Sequence, residues 1–235
     1  MKRKRSEARG PLERQARSAL REAAHNMAGV ERACASALAE AAEVLIACLE
    51  GGGTAFFCGN GGSAADAQHL ACELAGRYLV DRPGLAAVAL TTNSSSLTAI
   101  GNDFGYDAVF ARQLEGLGTP GDVLVAITTS GRSASVTRAV ETAHACGMTV
   151  IGFTGPQGKS FAAHCDLALV APGRSTPRIQ EAHITLGHTL CELVERALFA
   201  GAARGRPQKN TRPAARASAR KRPGRAARHW GARTS

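Results

Sequence analysis

The sequence lacks several features that would assign it to common protein classes. No apolar run approaches the ~20 residues that a transmembrane helix needs, and the residues after Met1 are basic instead of forming an apolar signal-peptide core. It holds no complete P-loop, and residues 59–63 lack the third glycine of the dinucleotide-binding fingerprint. These absences predict a cytoplasmic protein that does not contact a membrane and does not bind a nucleotide through either motif.

Acidic residues are missing from residues 204–235, which hold 11 of the 29 lysines and arginines. The first nine residues add five basic residues against Glu7 alone, so residues 10–203 contain 13 basic and 18 acidic residues. The basic tail is rich in Ala, Arg, Pro and Gly and has no apolar periodicity, which is typical of disorder. We therefore expect disordered ends at residues 1–11 and 203–235, with at most nonspecific attraction to nucleic acid.

The seven cysteines show no disulfide pattern. Their number is odd and their spacing is irregular, at positions 34, 48, 58, 72, 146, 165 and 191. Reduced thiols in the cytoplasm fit such an arrangement best.

Short apolar runs alternate with helical patterns along the middle of the chain. The runs at 54–58, 86–90, 123–127, 149–153 and 167–170 are predicted strands. Strands that are apolar on both faces and alternate with helices indicate a parallel sheet covered on both sides. Helical periodicity predicts two leading helices, at 12–27 and 31–49, and a closing helix from Pro177 to about Phe199. The prediction is a three-layer α/β/α sandwich over residues 12–202.

Two polar loops follow predicted strands. The first, Gly59 to Ser63, is rich in glycine and opens into a helix; the second, Thr128 to Ser133, has four hydroxyl side chains in six residues. Hydroxyls, backbone N–H groups and helix N-termini bind phosphate without a metal, although an ordinary turn with an N-cap would use the same residues. Since ligands bind beyond the carboxyl ends of parallel strands, we expect the loops to meet in one phosphate pocket.

Ionisable residues lie on the helices beside these loops. His69 and Glu73 are one turn apart, which suits a divalent metal, an acid–base pair or a simple surface ion pair; Arg77 would extend the same face. Gln180 and His188 would be about 12 Å apart along the last helix. To share one metal, either Gln180 lies where that helix is only beginning or two subunits contribute. His183, on a different face, is predicted to be a buried structural histidine.

Four motifs in order resemble those of phosphoheptose isomerases, which are sugar isomerase (SIS) domain proteins. They are Cys-Gly-Asn-Gly-Gly-Ser at 58–63, Gly-Asn-Asp-Phe-Gly at 101–105, Thr-Thr-Ser-Gly-Arg-Ser at 128–133 and Arg-Ile-Gln-Glu-x-His at 178–183. The resemblance covers about residues 12–200. It implies a flavodoxin-like SIS fold, a homotetramer with active sites between subunits, and zinc. The implied reaction is an aldose–ketose isomerisation of sedoheptulose 7-phosphate, a phosphorylated seven-carbon sugar, to D-glycero-D-manno-heptose 7-phosphate through an enediol, for heptose nucleotide and lipopolysaccharide biosynthesis.

The resemblance also implies roles for individual residues. The metal-ligand positions are matched by His69, Glu73, Gln180 and His188, and the proton-transfer pair by Glu73 and His188. Arg77 matches an arginine near the site. The substrate-binding positions are matched by Asn60, Gly61, Gly62, Ser63, Glu73, Asn102, Asp103, Thr128, Thr129, Ser130, Ser133 and Gln180.

Three positions depart from the family pattern, and one rival function shares most of it. Thr128 stands where serine is common, Arg132 replaces a frequent asparagine, and Pro177 occupies a position where relatives can carry an aspartate.

The rival function is that of a non-catalytic SIS protein that binds a DNA replication initiator. Such proteins tend to lose the carboxylate at position 73 and the histidine at position 188. This chain keeps both, which favours catalysis.

Overall fold

The computed structural model describes residues 3–200, with side chains from residue 10 onward. Its seven α-helices and five strands alternate in the predicted manner. In chain order they are α1 Arg3–Glu50, β1 Ala55–Gly59, α2 Gly62–Ala75, β2 Ala87–Ala89, α3 Ser94–Phe104, α4 Ala111–Leu117, β3 Val123–Thr128, α5 Ala134–Ala145, β4 Thr149–Thr154, α6 Lys159–Ala162, β5 Leu167–Val170 and α7 Thr176–Phe199, with a 3-10 helix at Tyr106–Ala108 between α3 and α4.

The five strands form one parallel sheet in the order β2-β1-β3-β4-β5. This order is the flavodoxin-like one, and its direction reverses between β1 and β3. The loops that follow β1 and β3 therefore leave neighbouring strands at the switch point, where doubly wound folds bind ligands. The three-layer sandwich predicted from the sequence is confirmed.

Alternate strand residues fill two cores, one on each face of the sheet. Phe57, Val125 and Ile127 pack with α1, α2 and α7, whereas Phe56 and Leu124 pack with the helices of the opposite layer. The period of two follows from the pleat, which points successive side chains to opposite faces. The layer of α1, α2 and α7 brings together the helices that carry the predicted ionisable residues.

The leading segment differs from the prediction of two helices, because α1 is a single helix of 48 residues. Only Gly29 interrupts good helix formers between the two predicted segments, and one glycine costs about 1 kcal/mol in a helix. Val30 and Cys34, directly beyond it, are buried in the core, which stabilises the continuous helix. The helix starts at Arg3, within the segment 1–11 that was predicted to be disordered. The predicted tail, 203–235, lies outside the described residues.

Helix α2 ends at Ala75, whereas the apolar pattern after Ser63 predicts a helix from Ser63 to Tyr78. Arg77 therefore lies outside the helix, and the expectation that it extends the face of His69 and Glu73 is corrected. Across residues 3–200, no helix combines the length and the apolar character that crossing a membrane requires.

Candidate active site

The first polar loop turns sharply from β1 into α2. Gly61 has φ 58° and ψ −122°, a conformation that side chains other than glycine rarely adopt. Ser63 is buried in the first turn of α2. The backbone N–H groups of Ser63, Ala64 and Ala65 donate to the carbonyls of Asn60 and Gly61 at 3.1–3.3 Å, and the partial positive charge of the helix N-terminus favours an anion beside this turn.

The second polar loop lies against the first. Thr128 ends β3 as a buried hydroxyl, and Ser133 occupies the N-cap position of α5 without making a side-chain cap bond. Instead, Asn60 Nδ2 donates to Ser133 Oγ at 2.7 Å and to Ser135 Oγ at 2.9 Å. The two loops therefore meet, as the sequence predicted, and Asn60 is the residue that joins them.

The segment after α3 approaches the same point. Tyr106 donates its hydroxyl to Asn60 Oδ1 at 2.8 Å, so both ends of the Asn60 amide are held. Asn102 Nδ2 donates to Asp103 Oδ1 at 2.8 Å in the last turn of α3. Tyr106 and Ser135 were not selected by sequence reasoning, although Tyr106 directly follows the 101–105 motif and Ser135 lies two residues after Ser133.

Helices α2 and α7 bring three ionisable side chains together. His69 Nε2 lies 2.8 Å from His188 Nε2 and 3.4 Å from Glu73 Oε1. The rings of the two histidines are nearly perpendicular, with centroids 5.0 Å apart. His69 and Glu73 therefore form more than an isolated helix-face ion pair, because a group from α7 completes the cluster.

The cluster depends on a close approach of the two helices. A Cβ added to Gly187 would lie 2.5 Å from Leu70 Cδ1, closer than carbon atoms can pack. Gly187 precedes His188 and Leu70 follows His69, so the contact lies directly beside the histidine pair. The absence of a side chain at position 187 lets the pair meet.

We expect Gly187→Ala to lower the free energy of unfolding by about 1–3 kcal/mol, because overpacking a buried contact forces the helices apart. Urea unfolding measures the change. Gly116→Ala in α4 is the matched control, since a Cβ there meets nothing within 4 Å and alanine favours the helix. Equal unfolding midpoints for the two variants would contradict this interpretation of Gly187.

Gln180 lies at the other end of α2. A Cβ on Gly62 would lie 2.2 Å from Gln180 Nε2, so the amide packs directly over this glycine. Because α7 begins at Thr176, Gln180 is already within the helix. That helix is continuous to Phe199, so the predicted distance of about 12 Å between Gln180 and His188 along its axis applies.

The donor set of the cluster fits a zinc ion. His69, Glu73 and His188 offer two imidazole nitrogens and a carboxylate oxygen, all within 4.8 Å of one another. Nitrogen and oxygen ligands of this kind bind zinc in proteins. The three residues come from two helices anchored in the core, so their side chains face one another from fixed backbones.

His183 is fully buried, as predicted for a structural histidine. Its ring lies edge-on to Phe153, with centroids 5.8 Å apart. Burial lowers the pKa of the His183 imidazole from its ordinary 6.5 to about 4. The ring is therefore neutral at physiological pH, and it packs in the core between the sheet and α7.

His183 should make the protein less stable in mild acid. The unfolded chain takes up a proton near pH 6.5 and the folded chain only near pH 4, so stability present above pH 6.5 is lost as pH falls through this window. The loss is about 3 kcal/mol at 1.36 kcal/mol per pKa unit. Urea unfolding of wild type and His183→Phe at pH 7 and pH 4.5 measures it. An equally steep pH dependence in the variant would contradict this assignment.

The parallel sheet, its switch-point loops and the ionisable cluster between α2 and α7 together define an SIS domain, and the family model of that domain matches residues 20–155. A phosphoheptose isomerase from Rhodospirillum rubrum is 58% identical over 165 residues, which cover 70% of this chain and 88% of the relative. One from Roseiflexus is 54% identical over 67% of this chain and 80% of the relative. The chain belongs to the phosphoheptose isomerase family and is an isomerase.

Solved structures agree with this family. Phosphoheptose isomerase GmhA from Neisseria gonorrhoeae superposes with a TM-score of 0.74 at 45% identity, covering 78% of this chain and 98% of that protein. A phosphoheptose isomerase from Francisella tularensis gives 0.75 at 36% identity, covering 77% and 97%.

Proposed function

We propose that this isomerase converts sedoheptulose 7-phosphate to D-glycero-D-manno-heptose 7-phosphate through an enediol, in heptose nucleotide biosynthesis. The observation that carries the proposal is the cluster of Glu73, His69 and His188 between α2 and α7. Isomerisation moves one proton between neighbouring carbons and one between their oxygens, so it needs a base and an acid on the same substrate. Glu73 would remove the proton next to the carbonyl, and His188 would exchange protons with the oxygens.

The phosphate of the substrate would bind at the joined loops. The N-termini of α2 and α5 offer partial positive charge, and the loops supply hydroxyls from Ser63, Thr128, Thr129, Ser130 and Ser133. Seven residues of α2 separate Gly62 from His69, about 10 Å along the helix. The phosphate would thus be held at one end of α2 while the reacting carbons face the ionisable cluster. Asn102 and Asp103 would contact sugar hydroxyls.

His69, Glu73 and His188 would hold a zinc ion, with Gln180 as the fourth ligand. A Glu73 carboxylate that binds the metal is not at the same time a free base, so the assay with chelator and with added zinc, described below, decides which of the two roles Glu73 has in turnover. When bound, zinc polarises a carbonyl oxygen and stabilises negative charge on it. Gln180 and His188 lie about 12 Å apart along one continuous helix. We therefore assign the Gln180 ligand to a second copy of the chain.

The first half of α1 supports such an assembly. Its residues 11–22 are exposed, including Leu12 and Leu20 at 68% and 71%. Apolar side chains presented along a helix are typical of a contact with another chain. We propose the homotetramer implied by the family resemblance, and light scattering of the full chain tests its mass. A cytoplasmic location is proposed because all seven cysteines are free.

The deciding experiment incubates the protein with sedoheptulose 7-phosphate and follows aldose formation, with and without a chelator and with added zinc. Product formation is the expected result, and its loss on chelation with recovery on zinc addition would support the metal. No product under any metal condition would refute the proposal. Initiator binding, the rival function, finds no support among the relatives described above; a pull-down with an initiator protein beside the assay separates the two.

A further inference from the structure

A buried ion pair joins the segment after α2 to α7, two turns of α7 beyond His188. Arg82 Nε donates to Glu195 Oε2 at 2.7 Å, and the two side chains are 0% and 3% exposed. Arg82 belongs to the segment between α2 and β2, and Glu195 belongs to α7. Burying two charges costs about as much as their attraction returns, so such a pair is weak evidence for stability alone. Its remaining hydrogen bonds indicate another role.

The other nitrogens of Arg82 bind the end of α2. Nη2 donates to the carbonyl of Glu73 at 2.9 Å, and Nη1 donates to the carbonyl of Leu74 at 2.9 Å. The last carbonyls of a helix have no partner within it, and a positive charge there also favours the helix dipole. Arg82 therefore acts as the C-terminal cap of α2, and it binds the backbone of the residue that carries the candidate base.

Glu195 anchors the chain that leaves α2. Its carboxylate accepts the backbone N–H groups of Tyr78, Leu79 and Val80 at 2.7–3.0 Å. Burial opposes ionisation of Glu195, but the bonds from these three N–H groups and from Arg82 outweigh it and lower the pKa of the carboxyl. The carboxylate is therefore charged at neutral pH, and it ties the segment after α2 to α7.

The pair lies on the same side of α7 as the histidine of the cluster. Glu195 follows His188 by seven residues, which is two turns and about 10 Å. Helices α2 and α7 are therefore joined at two levels, by the histidine pair and by Arg82 with Glu195. The second connection sets where the backbone of Glu73 lies relative to the helix of His188.

We propose that Arg82 and Glu195 are positioning residues of the isomerase, which hold the backbone of Glu73 so that its carboxylate stays within reach of His188 and the substrate. This inference rests on the proposed function. It predicts that the pair controls turnover more than substrate binding. The phosphate loops lie at the opposite end of α2, 11 residues or about 16 Å from Glu73, so the KM of the substrate should depend little on the pair.

The test uses Arg82→Lys and Glu195→Gln in the full chain. Lysine keeps the charge, but one ammonium cannot reproduce the planar fork that reaches a carboxylate and two carbonyls. We expect kcat to fall by about 10–100-fold, since a displacement near 1 Å has an effect of this size, while KM changes by less than about threefold. Glu195→Gln is the milder change, so its kcat should also fall, by a smaller factor, while its KM stays nearly unchanged.

Asp122→Asn is the matched control. Asp122 is also a buried carboxylate, and it accepts the backbone N–H groups of Thr54 and Thr119 at 2.7 and 2.8 Å. It directly precedes β3, at the amino-terminal end of the strands, whereas the site loops follow the carboxyl ends. Its loss should lower the urea midpoint and leave kcat at the wild-type value. If the Arg82 and Glu195 variants behave like Asp122→Asn, the pair is only structural and the proposal is overturned.

Crystal structures of wild type and both variants provide a readout independent of activity. We expect the separation of the Glu73 carboxylate oxygen and the nearer His188 ring nitrogen, within 4.8 Å in the wild type, to change by about 1 Å or more in Arg82→Lys, the displacement associated above with lost turnover. An unchanged Glu73 in both variants would overturn the proposal. A wild-type protein inactive on sedoheptulose 7-phosphate would refute the proposed function instead, and the position of Glu73 would still decide whether the pair holds it.

Discussion

Replacing Glu73 with glutamine is expected to lower kcat by about 10²–10⁴-fold, the contribution of a positioned acid or base. Glutamine has nearly the same volume, but its amide cannot take up the proton next to the carbonyl. Folding should be unchanged, because the Glu73 side chain is partly exposed and its ion pair is with His69 on its own helix. Turnover of sedoheptulose 7-phosphate and the urea midpoint measure the two effects.

The control for Glu73 is Glu115→Gln on α4. Glu115 is an exposed carboxylate paired with Arg112 at 2.6 Å, and it contacts none of the site elements described above. Its replacement should leave kcat at the wild-type value. An active Glu73→Gln protein, with kcat within about threefold of wild type, would remove Glu73 from the mechanism, since a proton-transfer residue contributes at least about 100-fold.

Replacing His188 with asparagine is expected to lower kcat by a similar factor, about 10²–10⁴-fold. Asparagine cannot exchange a proton with the substrate oxygens as an imidazole does. Steady-state kinetics of the single variants and of the Glu73→Gln, His188→Asn double variant test whether the residues act together. Since residues that act as a unit are strongly non-additive, the double variant should be only slightly slower than the slower single variant.

His144→Asn on α5 is the control for this variant. His144 is exposed and contacts Asp166 at 3.2 Å, so it offers a histidine with a carboxylate partner outside the site. The kcat of the His144→Asn variant should equal that of the wild type. Fully multiplied effects in the Glu73 and His188 double variant would show that the two residues do not share one proton-transfer step.

Much of the site was accessible from the sequence because its parts are local. The glycine loop, the hydroxyl loop and the pair of His69 and Glu73 each lie within six residues, and their turn and helix preferences are set by near neighbours. The expectation that the loops meet required only the rule on parallel strands. The error at Arg77 arose at a helix end, where Gly76 terminates α2 and periodicity gives little warning.

Other parts depended on contacts between distant residues. Tyr106 reaches Asn60 across 46 positions, and Arg82 reaches Glu195 across 113. Helical and strand periodicity relate only residues within one element, so neither of these contacts can be predicted from it. The single long helix α1 also escaped prediction, because burial of Val30 and Cys34 in the core decided whether a lone glycine would break it.

The sequence by itself determined the alternation of strands and helices, the two switch-point loops and the membership of His69 and Glu73 on one helix face. It did so because apolar periodicity, turn residues and helix spacing are properties of neighbouring residues. Only the tertiary structure decided that His188 lies against His69 from 119 positions away. The packing of α2 on α7 at Gly187 brings them together, and a contact of that kind exists only once both helices lie on the same face of the sheet.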